Sequence, residues 1–247
     1  MAQVEGYRAM PTNIPRPHGK LCVSLSGDHE DEILALALKA EPLADVLEIR
    51  LDSMRKPSAA PFAGRRLAKP LLFTNRASWE GGGFAGPEEE RLTLLRQAAE
   101  AKAAYIDIEL KTETGPRDAL IRAAKDNGTR VIVSWHGFNG TPSAPALRSL
   151  LQEQCQSGAD IGKIVTTAHG FQDVLRVLNL QIEAAEIGLP LIAFCMGQAG
   201  VISRVATLGL GGFMTYAAAD HAPATAPGQL PASSLARILT ELESHDG

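Results

Sequence analysis

Cysteine is scarce and scattered: Cys22, Cys155 and Cys195 make an odd count with no CxxC pair. A disulfide framework or a thiolate metal site needs closer, paired cysteines, so reduced cysteines in a cytoplasmic protein are expected. None of the 6 histidines stands in an HExxH frame or at zinc-finger spacing, which leaves no signature of a metal. Positive charge is not in excess. Lys and Arg number 24 against 28 Asp and Glu, and a net charge of −4 argues against general binding to nucleic acid or an anionic membrane. No apolar run approaches the roughly 18 residues of a membrane-spanning helix. The first twenty residues lack the basic-then-apolar layout of a secretory leader, so none is expected. No G-x-G-x-x-G follows the first strand-like segment, no Walker lysine motif occurs, and Gly81-Gly82-Gly83 fits neither frame, reading as a flexible turn.

What remains is an ordinary globular chain of 247 residues, 45% hydrophobic and 21% charged. Residues 1–20, with Pro11, Pro15 and Pro17, have no periodicity and read as an irregular or hairpin-like lead. From residue 21 short apolar runs alternate with helix-like segments. Strands are expected at Leu21–Leu25, Val46–Leu51, Leu71–Thr74, Ile106–Leu110, Arg130–Ser134, Ile161–Val165, Leu191–Cys195 and Gly212–Tyr216. Helices are expected at Asp28–Ala40, Pro87–Lys102, Arg117–Asn127, Ser143–Ser157, Phe171–Ile187, Val201–Leu208 and Ala232–Glu243, several followed by a stop glycine. Repeated strand–helix units imply a parallel sheet. Eight strands in about 250 residues, with no break in composition, predict an α/β fold of the (β/α)8 TIM-barrel type over 21–247.

The chemistry of such a barrel sits at the C-terminal ends of its strands, and these ends are polar. Alternation puts Glu48, Arg50 and Asp52 on one face of the second strand, and Asp107 and Glu109 on one face of the fourth. The third strand leads into Arg76 and Glu80, the fifth ends at His136, and the seventh runs toward Met196, Ser203 and Arg204. Lys163 interrupts the sixth strand. An ammonium group there is costly unless it is paired or has its pKa lowered, and a neutral lysine amine attacks ketones to form a Schiff base. A strand-end lysine reaching out to water is the plainer reading of that residue alone. After the eighth strand, Thr225-Ala226-Pro227-Gly228-Gln229 is a turn-rich segment suited to a lid. A ring of arginines, carboxylates, one lysine and one histidine suits a small polyhydroxylated keto acid.

These residues lie in segments that resemble one family across about Leu21 to Gln229. The segments are Glu48–Asp52, Phe73–Gly82, Ser134–His136, Ala159–Ile164, Met196–Gly197 with Ser203–Arg204, and Ala226–Gln229. In order and spacing they resemble type I 3-dehydroquinate dehydratase, a Schiff-base enzyme of the shikimate pathway. The resemblance implies that Lys163 forms the imine with 3-dehydroquinate, that His136 moves the protons and that Glu80 orients it. It implies substrate contacts for Ser24, Glu48, Arg50, Arg76, Met196, Arg204, Thr225, Ala226 and Gln229, with Arg204 on the substrate carboxylate. It also implies no cofactor and a homodimer. Two positions differ from the family pattern: Gly137 stands where Asp usually follows the histidine, and Thr225 stands where the lid usually has Ser. A class I aldolase-type barrel enzyme and a non-catalytic binder of shikimate-like ligands are the alternatives.

Overall fold

The inward positions of the strands explain most of the architecture. Along β1 (Lys20–Leu25), β2 (Val46–Arg50), β3 (Leu71–Thr74), β4 (Tyr105–Glu109), β5 (Arg130–Gly137), β6 (Ile161–Thr167), β7 (Leu191–Met196) and β8 (Met214–Ala218), neighbours pair in parallel. The spatial order is sequential from β1 to β7, and β8 returns beside β1. The computed structural model describes residues 19–62 and 67–244. The expected lead therefore lies, apart from Gly19 and Lys20, outside the described residues. No ladder joins β7 to β8; the barrel closes there through Phe213 N–H on the Leu191 carbonyl at 2.8 Å.

Two apolar clusters result. One packs the outward strand faces, such as Val23, Ile49, Ile106, Val133 and Ile164, against the surrounding helices. The other fills the barrel interior with Cys22, Val46, Leu72, Tyr105, Ile132, Ile161 and Met214. One step further along the same inward faces stand Ser24, Glu48, Thr74, Asp107, Ser134 and Lys163, all buried. The barrel is thus greasy at the bottom and polar at the top.

The helices are α1 (Glu30–Ala40), α2 (Glu88–Glu100), α3 (Thr114–Asp126), α4 (Ala144–Gln156), α5 (Phe171–Leu178), α6 (Leu180–Glu186), α7 (Val201–Gly209) and α8 (Ala232–Ser244). Among the described residues only 3-10 turns, at Leu51–Ser53 and Ala60–Phe62, connect β2 to β3. The helix expected over Phe171–Ile187 is two helices meeting at Asn179, where Ile182 N–H bonds the Asn179 carbonyl in a tighter i to i+3 turn. Helix α3 begins three residues before the expected start, because Pro116 falls in its first turn, where proline is tolerated. Strand β5 outlasts its expected end at Ser134, since the ladder with β6 continues through His136–Val165 and Gly137–Thr166.

Candidate active site

Lys163 lies at the centre of the polar layer. Its register partner on β5 is Ser134, and its Nζ donates to Asp107 Oδ2 at 2.9 Å while sitting 4.3 Å over the Tyr216 ring. Of the two ways to bury a lysine, pairing is the one found. Asp107 Oδ1 accepts from Arg76 Nη2 at 2.8 Å and from Ser134 Oγ at 2.6 Å. Burial works against the Asp107 charge, but Arg76 and Lys163 outweigh it and hold the carboxyl well below the ordinary range. Arg76 is buried too, and burial likewise opposes its charge; Asp107, Glu109 and Glu80 keep it firmly protonated.

His136 stands two residues beyond Ser134 on the same inward face of β5. Its Nδ1 lies 2.8 Å from Glu80 Oε1, at the end of the 3-10 turn Ser78–Glu80. Burial, reinforced by the Arg76 and Lys163 charges, pushes the imidazole well below its usual pKa. Burial pushes the Glu80 carboxyl up to about 8 against the pull of Arg76. The turn that presents Glu80 is pinned from below: Arg76 N–H and Gly83 N–H bond Asp52, and Ala77 N–H bonds Glu109. Gly81 has φ +75°, and a Cβ there would lie 2.2 Å from Phe138; one at Gly82 would lie 2.0 Å from the Arg76 carbonyl. The triple glycine is a close-packed corner rather than a slack loop. Phe138 also stacks on the His136 ring, with centroids 6.2 Å apart.

Gly137 has a local cause. A Cβ there would lie 2.7 Å from the Trp135 indole and 3.0 Å from the Gly140 carbonyl. The indole occupies the room a side chain at 137 would take, and His136 is held by Glu80 and Phe138 instead.

Arg50 forms a two-pronged pair with Asp52, at 2.9 and 2.6 Å. Glu48 accepts from Thr74 Oγ1 at 2.7 Å and from Ser24 Oγ. Arg204, on α7, is 1% exposed and is not ion-paired among the described residues. Its Nη2 donates to the Pro227 carbonyl at 3.1 Å, its guanidinium lies 4.6 Å from the Phe194 ring, and its Nε and Nη1 are buried without partners. Burial lowers its pKa to about 10. In the lid, the Gln229 carbonyl oxygen accepts from Thr225 N–H at 2.9 Å and Thr225 Oγ1 at 3.0 Å, which commits that oxygen to the lid and leaves the amide N–H2 as donor. Thr225 thus supplies its hydroxyl to the lid's own fold.

A cavity at the top of the barrel is lined by Glu48, Arg50, Arg76, His136, Lys163, Met196, Arg204, Thr225, Ala226 and Gln229. Ser24 and Glu80 stand outside this lining, Ser24 behind Glu48 and Glu80 behind His136. The lining also includes Thr74, Val165, Phe194 and Tyr216. These four sit at inward strand positions, where alternation marks them but their mostly apolar character gives no chemical cue. Asp107 was visible on the face of its strand, without its role as Lys163's partner.

A family model described as type I 3-dehydroquinase matches residues 21–246. The chain belongs to this family. The 3-dehydroquinate dehydratase of Desulfotalea psychrophila is 46% identical over 220 residues, 89% of this chain and 96% of that one. That of Methanosarcina barkeri is 35% identical over 222 residues, covering 86% and 92%. Among solved structures, the type I 3-dehydroquinate dehydratase of Clostridium difficile, with covalently modified comenic acid, superposes with TM-score 0.85 at 28% identity, covering 95% of this chain and 96% of that one. The Geobacillus kaustophilus enzyme gives 0.83 at 28%, covering 93% of each. The family's fold is the barrel expected from the strand pattern.

Proposed function

We propose that the protein dehydrates 3-dehydroquinate to 3-dehydroshikimate through a Schiff base on Lys163. The observation that carries this reading is that the one lysine lining the cavity shares it with the His136 imidazole and with a buried arginine lacking a counter-ion. The substrate carboxylate completes Arg204, whose free Nε and Nη1 are the two donors it needs. Glu48, Arg50 and the Gln229 amide then face the hydroxyls.

Lys163 must lose a proton before attack, and the neutral His136 imidazole accepts it. The amine adds to the C3 ketone, His136 returns the proton to the carbinolamine hydroxyl, and its loss as water gives a protonated imine and a neutral imidazole. Asp107, held ionised by Arg76, balances that cation as it balanced the ammonium. The imine withdraws electrons and makes the adjacent C2 hydrogen acidic. His136 takes that proton, then returns one to the departing C1 hydroxyl as the enamine collapses. Water hydrolyses the imine, releasing the product and Lys163.

Addition of 3-dehydroquinate should produce the ultraviolet absorbance of the conjugated product. Borohydride added during turnover should leave the reduced adduct on Lys163, located by mass spectrometry. An adduct without product would favour a binder, and cleavage of other ketose or keto-acid substrates an aldolase; the absence of both product and adduct would overturn the reading. A homodimer and a cytoplasmic location belong to the same proposal. Support for the first is the exposed apolar group of Phe171 and Leu175 on α5 and Ile202 on the neighbouring α7. Support for the second is three unpaired cysteines. Light scattering on the purified protein tests the oligomer.

A further inference from the structure

Five ion pairs run outward from the reactive lysine. Lys163 pairs with Asp107 at 2.9 Å, Asp107 with Arg76 at 2.8 Å, Arg76 with Glu109 at 2.9 Å, Glu109 with Arg91, and Arg91 with Glu88 at 2.6 Å. Charges alternate along the row, and its three cations balance its three anions. The first five side chains are at most 5% exposed, while Glu88 is 41% exposed. The row therefore starts in the cavity and ends in solvent, at the first turn of α2.

We propose that Arg91 is a positioning residue for the dehydration, acting through Glu109 and Arg76 on the Asp107–Lys163 pair; this rests on the dehydratase reading above. Arg91 does not line the cavity. All five of its N–H donors are used: Nε and one Nη2 hydrogen on Glu88, the other Nη2 hydrogen on Thr112 Oγ1, and the two of Nη1 on the Asn75 carbonyl and Glu109 Oε2. A guanidinium so saturated has one place to be, and it ties α2 to the ends of β3 and β4.

What it fixes is Glu109. One oxygen of that carboxylate faces Arg91, and the other accepts from Arg76 Nη1 and Ala77 N–H. Without Arg91 the outer oxygen is buried bare, and Arg76, still shared with Asp107, becomes the sole counter-ion of Glu109. The guanidinium is then drawn toward Glu109 and away from Asp107, and Asp107 is left to Lys163 alone. Asp107 then loses the guanidinium that fixes its orientation, Lys163 shifts with its carboxylate out of line with the ketone, and imine formation slows. Packing alone does not call for an arginine here, because buried ion pairs add little net stability over apolar side chains of similar size.

Steady-state kinetics on Arg91→Met, Arg91→Lys, Glu109→Gln and the Arg91→Met/Glu109→Gln double variant test this, alongside the unaltered protein. Each is first shown by circular dichroism to be folded. Arg91→Met should lose kcat by about 10-fold or more while KM moves by less than about 3-fold, since no substrate contact is touched. Arg91→Lys, which keeps the charge, should recover most of the loss. The double variant should be no slower than Glu109→Gln, because coupled residues are not additive. Unchanged kcat in folded Arg91→Met, or losses that multiply in the double variant, would overturn the proposal. Should Arg91→Met fail to fold, Glu88→Gln, which frees the guanidinium from its outer anchor, carries the test: it should lower kcat several-fold at constant KM, and an unchanged kcat would overturn the proposal. No turnover by the unaltered protein would instead sink the dehydratase reading itself.

Discussion

Lys163 Nζ donates to Asp107 Oδ2 at 2.9 Å, so the amine proposed to attack the substrate is stored as half of a buried ion pair. The carboxylate does not follow the lysine's charge; Arg76 and Ser134 hold it on its other oxygen.

Asp107→Asn is expected to lower kcat by about 100-fold and stability by about 3 kcal/mol. It leaves Lys163 and Arg76 facing a neutral amide in a dry site. Initial rates and chemical denaturation measure the two effects, and a variant with unaltered kcat would remove Asp107 from the scheme.

Glu80 and His136 set the pH dependence. A protonated Glu80 donates to Nδ1 and leaves the imidazole's own proton on Nε2, where it blocks the base. An ionised Glu80 accepts from Nδ1–H and frees Nε2. Because burial raises the Glu80 carboxyl to about 8, the base-competent form is gained as pH rises through that value, and kcat/KM should climb with it. Glu80→Gln removes that titration. Its acid limb should move to lower pH, set by the His136 imidazole that burial holds low. A limb that stays where it was in the variant would show that Glu80 does not govern it.

Arg204→Met separates binding from stability. Two donors without partners and a charge without a counter-ion are a cost in the free protein. The variant should raise KM by about 10- to 100-fold, the worth of a charge-assisted contact, while Tm holds or rises. A drop in Tm with unchanged KM would mean that the arginine serves the fold.

Much of this was legible in the sequence, because the inward face of each strand carries its message at every second residue. Glu48, Arg50, Asp107 and Lys163 stand out there as charges among Val and Ile. His136 was legible at the end of the fifth strand, but that the strand runs on past it was not, since Gly137 is no strand former and only the β6 ladder extends β5 through it. Tyr216 and Phe194 were silent because aromatic residues in a strand look like core. Arg91 was hidden for another reason: it lies on a helix, and its partner Glu109 is 18 residues away.

Gly137→Ala should cost about 1–3 kcal/mol by forcing the indole of Trp135 out of its place. With only 2 tryptophans in the chain, a changed emission spectrum reports the movement directly. Removing the indole in the Trp135→Leu/Gly137→Ala pair should recover part of the loss. A Gly137→Ala protein with native emission and stability would show that the corner has slack.

The single hydrogen bond from Phe213 to Leu191 makes the β7–β8 boundary the barrel's seam. Helix α7 stitches across it, with Ser203 Oγ accepting from Cys195 N–H on β7 at 2.7 Å and Thr215 Oγ1 of β8 donating to the Arg204 carbonyl at 2.6 Å. Arg204 reaches the cavity from that stitch, and its Nη2 already holds the lid at Pro227. A bound carboxylate therefore draws together the one place where the cylinder lacks its own closure. Occupancy of the cavity and integrity of the barrel become linked at this line, and slowed amide exchange on ligand binding should concentrate along β7, α7 and β8.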